Sequence, residues 1–269
     1  MPSSVEPSPD SPVGTPGAAT SDDTARNPAR APDAPDLAAL DTLVVGCTAC
    51  PRLVAWREQV GRERRAAFAT EEYWARPVPS FGDPEAGILV VGLAPAAHGG
   101  NRTGRMFTGD RSGDFLIAAL HRAGLASQGT SVARDDGLEL TGARLAAPVH
   151  CVPPENKPTP AERRTCSPYL ARELELVAPR VVVTLGAFGW NATLDVLATA
   201  GWAVPRPRPR FGHGAETVVS RETSRGGIGA GQVTLLGCYH PSPHNTFTGK
   251  LTPDAMDALL ARARALAAS

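Results

Sequence analysis

Residues 88–115 read Ile88-Leu89-Val90-Val91 and then GLAPAAHGGNRTGRMFTGDRSGDF. The four apolar residues are β-branched or aliphatic and read as a buried strand. Leu116-Ile117-Ala118-Ala119-Leu120 follows and reads as the core face of a helix spanning about Ser112 to Ala123. Between them lie about twenty residues of Gly, Pro, Asn, Thr, Arg and Asp without periodicity. A connection that long inside a compact domain is usually functional. A loop leaving the carboxyl end of a strand in an α/β sheet also lies where such folds bind ligands.

Working outward, residues 147–152 read as a second strand, Val181-Val182-Val183-Thr184-Leu185-Gly186 as a third and Val233 to Cys238 as a fourth. Helices are predicted between them. Thr159-Pro160-Ala161-Glu162 combines a capping threonine, a first-turn proline and a reciprocal glutamate, and the helix it opens runs to about Val177. Others follow the third strand to about Ala200 and run from Thr252 to about Ala267. Before the first strand, residues 37–45 and 52–65 read as short helices, and Pro77 and Pro79 force 72–79 into an extended loop. Residues 127–144 are polar and weakly patterned. Residues 202–232, where Arg206, Arg208 and Arg210 alternate with prolines, read as an exposed, mobile excursion. The expected fold class is α/β: a single domain over 37–269, with a central four-stranded, mostly parallel sheet flanked by helices.

Residues 1–36 read as a disordered tail. They hold eight prolines and almost nothing large and apolar. The formal net charge of zero hides a division: the tail's six acids and two arginines leave the remainder at +4. That balance is compatible with a polyanion partner without being diagnostic of one. No secretory leader and no membrane-length apolar run is visible, so a soluble, cytoplasmic protein is expected.

Five cysteines occur, and in such a compartment a disulfide framework is not expected. Cys47 and Cys50 form a CxxC pair. With Cys151 and Cys166 they make a four-thiolate set that either zinc or an iron–sulfur cluster accepts. Cys238 lies in an apolar strand and reads as core.

The long loop is not a nucleotide-triphosphate loop. Gly99 and Gly104 have the right separation, but Arg105-Met106 stand where Lys-Ser/Thr is required. No dinucleotide fingerprint follows the strand either, so no nucleotide cofactor is expected. What remains is an aromatic (Phe107), a carboxylate (Asp110), an amide (Asn101) and an imidazole (His98), which suits a flat polar ligand. Two more loops leave strand ends on the same edge. Pro153-Pro154-Glu155-Asn156-Lys157-Pro158 carries an amide able to donate and accept. Tyr239-His240-Pro241-Ser242-Pro243-His244-Asn245-Thr246 carries His240 and potential phosphate donors, Ser242 and Asn245.

Together, the 92–115 stretch, HPSPHNTFTGKLT and the early CxxCPRL resemble the type-5, B-type uracil-DNA glycosylases of the uracil-DNA glycosylase superfamily, over about residues 43–267. The resemblance implies that Cys47, Cys50, Cys151 and Cys166 hold a [4Fe–4S] cluster. It further implies that Phe107 stacks on a flipped base, Asn156 faces the base edge, His240 faces the leaving base and Asp110 carries the chemistry. His98, Asn101, Ala94, Ser242 and Asn245 complete the expected substrate-binding set. Leu93 and Ala94 stand where other branches place an acid or amide, which shifts catalytic weight to Asp110. His244 departs from a frequent arginine and Met106 from a frequent proline. The implied activity is excision of uracil, and of other deaminated bases such as hypoxanthine, from DNA by a monomer in base excision repair. A non-catalytic damaged-base sensor and a glycosylase that crosslinks to its product are the alternatives.

Overall fold

The computed structural model describes residues 28–221 and 231–268. In chain order, helices α1 (Leu37–Val45) and α2 (Pro51–Glu63) precede a short edge strand, β1 (Phe81–Gly82), and β2 (Ile88–Val91). Then come the single turn α3 (Gly100–Thr103), α4 (Arg111–Arg122), β3 (Ala143–Ala146), α5 (Pro160–Val177), β4 (Val181–Leu185) and α6 (Gly186–Thr199). The chain ends with β5 (Glu216–Arg221), β6 (Gly231–Cys238), the short α7 (Pro243–Phe247) and α8 (Pro253–Ala268).

Among the described residues the sheet has six strands in the order β1-β3-β2-β4-β6-β5. The inner four are parallel, and β1 and β5 close the two edges antiparallel. Three of the four expected strands are therefore in the parallel core, as β2, β4 and β6, and β3 and two edge strands complete the sheet. Alternation of side chains sends successive residues to opposite faces. Ile88, Val90, Val181 and Val183 pack with Leu116, Leu120, Met256 and Leu260 beneath α4 and α8. Leu89, Val91 and Val182 pack with Trp190, Leu194 and Leu197 of α6. Burial on both faces explains why β2 and β4 read as unbroken apolar runs.

Three expectations are corrected. The second strand is Ala143–Ala146, not 147–152. Arg144 in its middle broke the apolar pattern, yet that arginine is buried: it pairs with Glu173 of α5 and donates from Nη1 to the Gly82 carbonyl at 3.1 Å. Ser80 donates to the other Glu173 oxygen at 3.0 Å, so the ion pair is held from both sides. The proline-rich excursion is partly built into the domain. Glu216–Arg221 pairs with β6, and Trp190 Nε1 donates to the Pro209 carbonyl at 3.0 Å. Polar residues on the half-exposed edge concealed that strand; residues 222–230 lie outside the described residues. Finally, the packed domain begins before Leu37. Pro28–Asp33 forms a 3-10 helix, Ala31 and Ala34 are buried, and Arg172 donates to the Ala34 carbonyl at 2.7 and 2.9 Å. Residues 1–27 of the expected tail lie outside the described residues.

The chain leaves β2 for β3 on one side, then crosses through α5 to β4 on the other. The carboxyl end of β2 is thus the point where strand order reverses, and the crevice there is where α/β sheets bind ligands.

Candidate active site

A cleft of about 780 Å³ opens at that point. Its walls come from the three loops that follow β2, β3 and β6. Ala94, His98, Phe107 and Asp110 come from the first, Asn156 from the second, and His240 and Ser242 from the third.

The loop after β2 holds its shape through its own arginines. Arg102 donates from Nε to the His98 carbonyl at 2.7 Å and from Nη2 to the Gly109 carbonyl at 3.0 Å, while pairing with Glu71. Arg105 is buried and donates to both Asp136 oxygens at 2.8 and 2.7 Å, to Ser131 Oγ at 3.0 Å and to Thr108 Oγ1 at 2.9 Å. The weakly patterned 127–144 stretch therefore serves as the loop's anchor.

Asp110 ends this loop as the N-cap of α4, its Oδ1 accepting from the amides of Ser112 and Gly113 at 2.9 and 3.0 Å. Its other oxygen points toward Gly99: a Cβ there would stand 1.9 Å from Asp110 Oδ2. Glycine at 99 is what lets the carboxylate occupy its position. Burial raises the Asp110 pKa above the usual carboxylate range, while the two helix amides and Arg102 pull the other way.

Phe107 adopts a left-handed backbone, φ 51°, and lays its ring against the end of β2. A Cβ on Gly92 would meet that ring at 2.7 Å. Glu155 and Asn156 are both left-handed as well, φ 54° and 56°. Such conformations cost on the order of 1 kcal/mol each and cluster at functional sites. Burial lowers the His240 pKa to about 4, so its imidazole is neutral across the physiological range. His98 shares a 3.0 Å hydrogen bond with the Tyr73 hydroxyl, and burial with Arg65 and Arg102 lowers its pKa.

Two expected substrate contacts are not in the cleft. Asn101 is fully buried on α3, and its amide donates to the Arg57 carbonyl of α2 at 3.3 Å. Asn245 donates to the His240 carbonyl at 2.8 Å, so it braces the loop instead of facing a ligand. Conversely, Arg65, Phe68 and Arg111 line the cleft and were not singled out. At the rim, Phe247 is 71% exposed, with the Arg111 guanidinium 5.0 Å from its ring centroid. The only hint of Phe247 in the sequence is an aromatic side chain amid polar residues.

Cys47, Cys50, Cys151 and Cys166 converge on a second, small cavity with Leu53, Val149 and Tyr169. They come from the end of α1, the N-cap of α2, the loop after β3, and α5. Burial pushes the Cys166 thiol well up, and the neighbouring sulfurs of Cys151, Cys47 and Cys50 add to the effect. Among the described residues no three His, Cys, Asp or Glu side chains are gathered tightly enough to hold a single metal ion between them. Cys238 stands apart in β6, its Sγ 3.7 Å from Met256 Sδ, and burial pushes its thiol up to about 12.

Comparison with known proteins agrees with this geometry. The family model described as "Uracil DNA glycosylase superfamily" matches residues 79–264. A Mycobacterium tuberculosis protein named type-5 uracil-DNA glycosylase is 53% identical over 230 residues, covering 85% of this chain and 81% of that protein. A Thermus thermophilus protein of the same name is 48% identical over 226 residues, covering 83% of this chain and 95% of its own length. A Pyrobaculum aerophilum type-4 uracil-DNA glycosylase is 28% identical over 208 residues. With a fold, a cleft and a relationship that all coincide, the chain belongs to the uracil DNA glycosylase superfamily.

Proposed function

We propose that this protein hydrolyses the N-glycosidic bond between uracil and deoxyribose in DNA, as a base excision repair enzyme. The observation that carries this reading is the meeting of Asp110, His240, Phe107 and Asn156, from three separate loops, on one cleft. The target nucleotide must leave the stack to enter, at a cost of a few kcal/mol that is smallest for a mispaired base. Stacking on Phe107 offsets part of it. As the C1′–N bond breaks, positive charge grows on the sugar and negative charge on the base. The Asp110 carboxylate meets the first charge and orients the water whose oxygen bonds to C1′. The neutral imidazole of His240 donates to the base oxygen where the second develops, without bringing an opposing charge of its own in the ground state. The water's proton is released as the bond forms, and the departing base anion is protonated in turn.

Asn156 holds the base edge through an amide that both donates and accepts. That chemistry admits hypoxanthine besides uracil, which we include in the substrate range. A reading without a nucleotide cofactor is supported by Arg105, which stands at the phosphate-lysine position of the loop and is engaged by Asp136. The large exposed apolar side chains among the described residues are Val132, Val218 and Phe247, too few for a dimer interface, which supports a monomer. No described helix is long and apolar enough to cross a membrane, and free thiols suit the reducing cytoplasm.

The four converging cysteines fit a [4Fe–4S] cluster. Four thiolates lining one cavity are a donor set that such a cluster accepts. Its contribution is structural: it ties α1, α2 and α5 to the loop that carries Asn156. Iron, not zinc, on metal analysis of purified protein checks this assignment.

Oligonucleotides carrying one uracil or hypoxanthine test the activity. Free base and an alkali-labile abasic product are expected. Retention without release returns the protein to a damaged-base sensor, and a covalent adduct to a crosslinking enzyme.

A further inference from the structure

Arg57 is the most heavily buried charge near the cysteines, 4% exposed, and it comes from α2 two turns beyond Cys50 on the same face. Its Nη1 donates to Cys151 Sγ at 3.2 Å and to the Cys47 carbonyl at 3.1 Å. Its Nε is buried with no partner, and no Asp or Glu pairs with it among the described residues. Among the described residues every other buried arginine has a carboxylate: Arg102 has Glu71, Arg105 has Asp136 and Arg144 has Glu173. A guanidinium withdrawn from water without a counter-charge is strongly unfavourable, far beyond what hydrogen bonds to a neutral thiol and one carbonyl return. The groups that can supply negative charge here are the sulfurs.

We infer that Arg57 is the built-in counter-cation of the four-thiolate centre: its guanidinium neutralises the ligand set and anchors Cys151 through an N–H···S hydrogen bond. Arg57 is a positioning residue, not a catalytic one, since it does not line the cleft. The inference rests on the reading of Cys47, Cys50, Cys151 and Cys166 as metal ligands, and it holds for whichever metal they carry. It also gives a reason for arginine at this place. A charged donor beside a ligating sulfur disfavours loss of the metal, as outer partners of metal ligands generally do.

The test compares the loaded wild-type protein with Arg57→Lys and Arg57→Gln, each purified without oxygen. Metal content is measured first, then the rate of metal release to an excess of chelator at neutral pH. Wild-type protein is expected to carry metal. Arg57→Gln keeps a hydrogen-bond donor but not the charge and should release metal about 10- to 100-fold faster. Arg57→Lys keeps the charge and should stay close to wild type. Equal rates for wild type and Arg57→Gln overturn the proposal. So does an Arg57→Lys protein as leaky as Arg57→Gln, which would mean that packing alone is at stake. If Arg57→Gln does not accumulate, Arg57→Lys decides alone: wild-type retention supports the counter-charge and a tenfold faster release overturns it. Wild-type protein without metal removes the four-thiolate reading itself, and that result is distinguishable from the others before any variant is compared.

Discussion

The loops that follow β2 and β3 leave neighbouring parallel strands and reach the same cleft, but they are held differently. The first is fixed by protein alone. Arg102 and Arg105 spend their guanidiniums on its carbonyls and on Glu71 and Asp136, and Asp110 ends it as a helix cap. The second carries Asn156 on an exposed turn with two successive left-handed residues, between Cys151 and the capping box of α5. On the strand side, next to Cys151, it is held by Val78, whose amide donates to the His150 carbonyl at 2.8 Å and whose carbonyl lies 2.7 Å from His150 Nδ1. On the reading of the four cysteines as metal ligands, the contrast implies a division of labour: a rigid loop for bond breaking, and a loop for base recognition that the four-thiolate centre would help to order.

The largest effects should fall on the first loop. Asp110→Asn keeps the helix cap, since asparagine caps as well as aspartate, but removes the charge that meets the sugar cation. Single-turnover excision of uracil should drop about 10²- to 10³-fold, with DNA affinity held and the melting temperature unchanged or raised, because a partly desolvated carboxylate is gone. A wild-type rate in that variant breaks the assignment. Gly99→Ala tests the same carboxylate from the other side. With a Cβ placed 1.9 Å from Asp110 Oδ2, the carboxylate must move, and a displacement of that order costs about 10²-fold in rate. If the four cysteines hold the proposed metal centre, mild chelation sharpens the comparison further. It should raise KM and blur discrimination between uracil and hypoxanthine before it lowers kcat; an equal loss of both would place the two loops under one control.

Much of this was legible in the sequence because local chemistry and global fold agree there. The apolar runs of β2 and β4 are buried on both faces, and Thr159 and Glu162 form the capping box their spacing announced. Asp110, Phe107, Asn156 and His240 stand in loops that leave strand ends, and they reach the cleft. What failed did so through side chains whose partners are distant in sequence. Arg144 looked unfit for a buried strand until Glu173, on α5, supplied its charge. Asn101 looked like a ligand contact because it stands in the right loop, but the one-turn helix α3 directs it inward to Arg57. Pattern alone does not reveal which way a short irregular segment turns its polar groups. For the same reason Arg65 and Phe68 reach the cleft without any periodic signal.

A pH profile separates Asp110 from His240. Asp110 acts as the anion and its pKa is raised, so activity should fall as pH drops through that raised value, leaving an acid limb above the ordinary carboxylate range. His240 acts as the neutral ring and protonates only near pH 4. His240→Asn should therefore lower the plateau and leave the limb where it is. Its stability effect has the opposite sign. A histidine held at about 4 when folded, against about 6.5 unfolded, is a neutral burden at pH 7 and destabilises progressively as pH falls below 6.5. Removing it should make the protein more resistant to acid unfolding at pH 5, by at most about 2 kcal/mol.

The smallest effect distinguishes bracing from recognition within the first loop itself. Asn101 lies on that loop, yet its amide faces α2, and the neighbouring backbone is independently held by the Ala75 amide donating to the Asn101 carbonyl at 3.0 Å. Asn101→Ala should cost about 1 kcal/mol, the value of one buried hydrogen bond, seen as a small drop in melting temperature. Excision of uracil and hypoxanthine should fall by the same small factor, because a brace has no means of telling one ring from another. A selective loss against one base would return Asn101 to the cleft and dissolve the distinction between a loop that breaks the bond and a loop that reads the base.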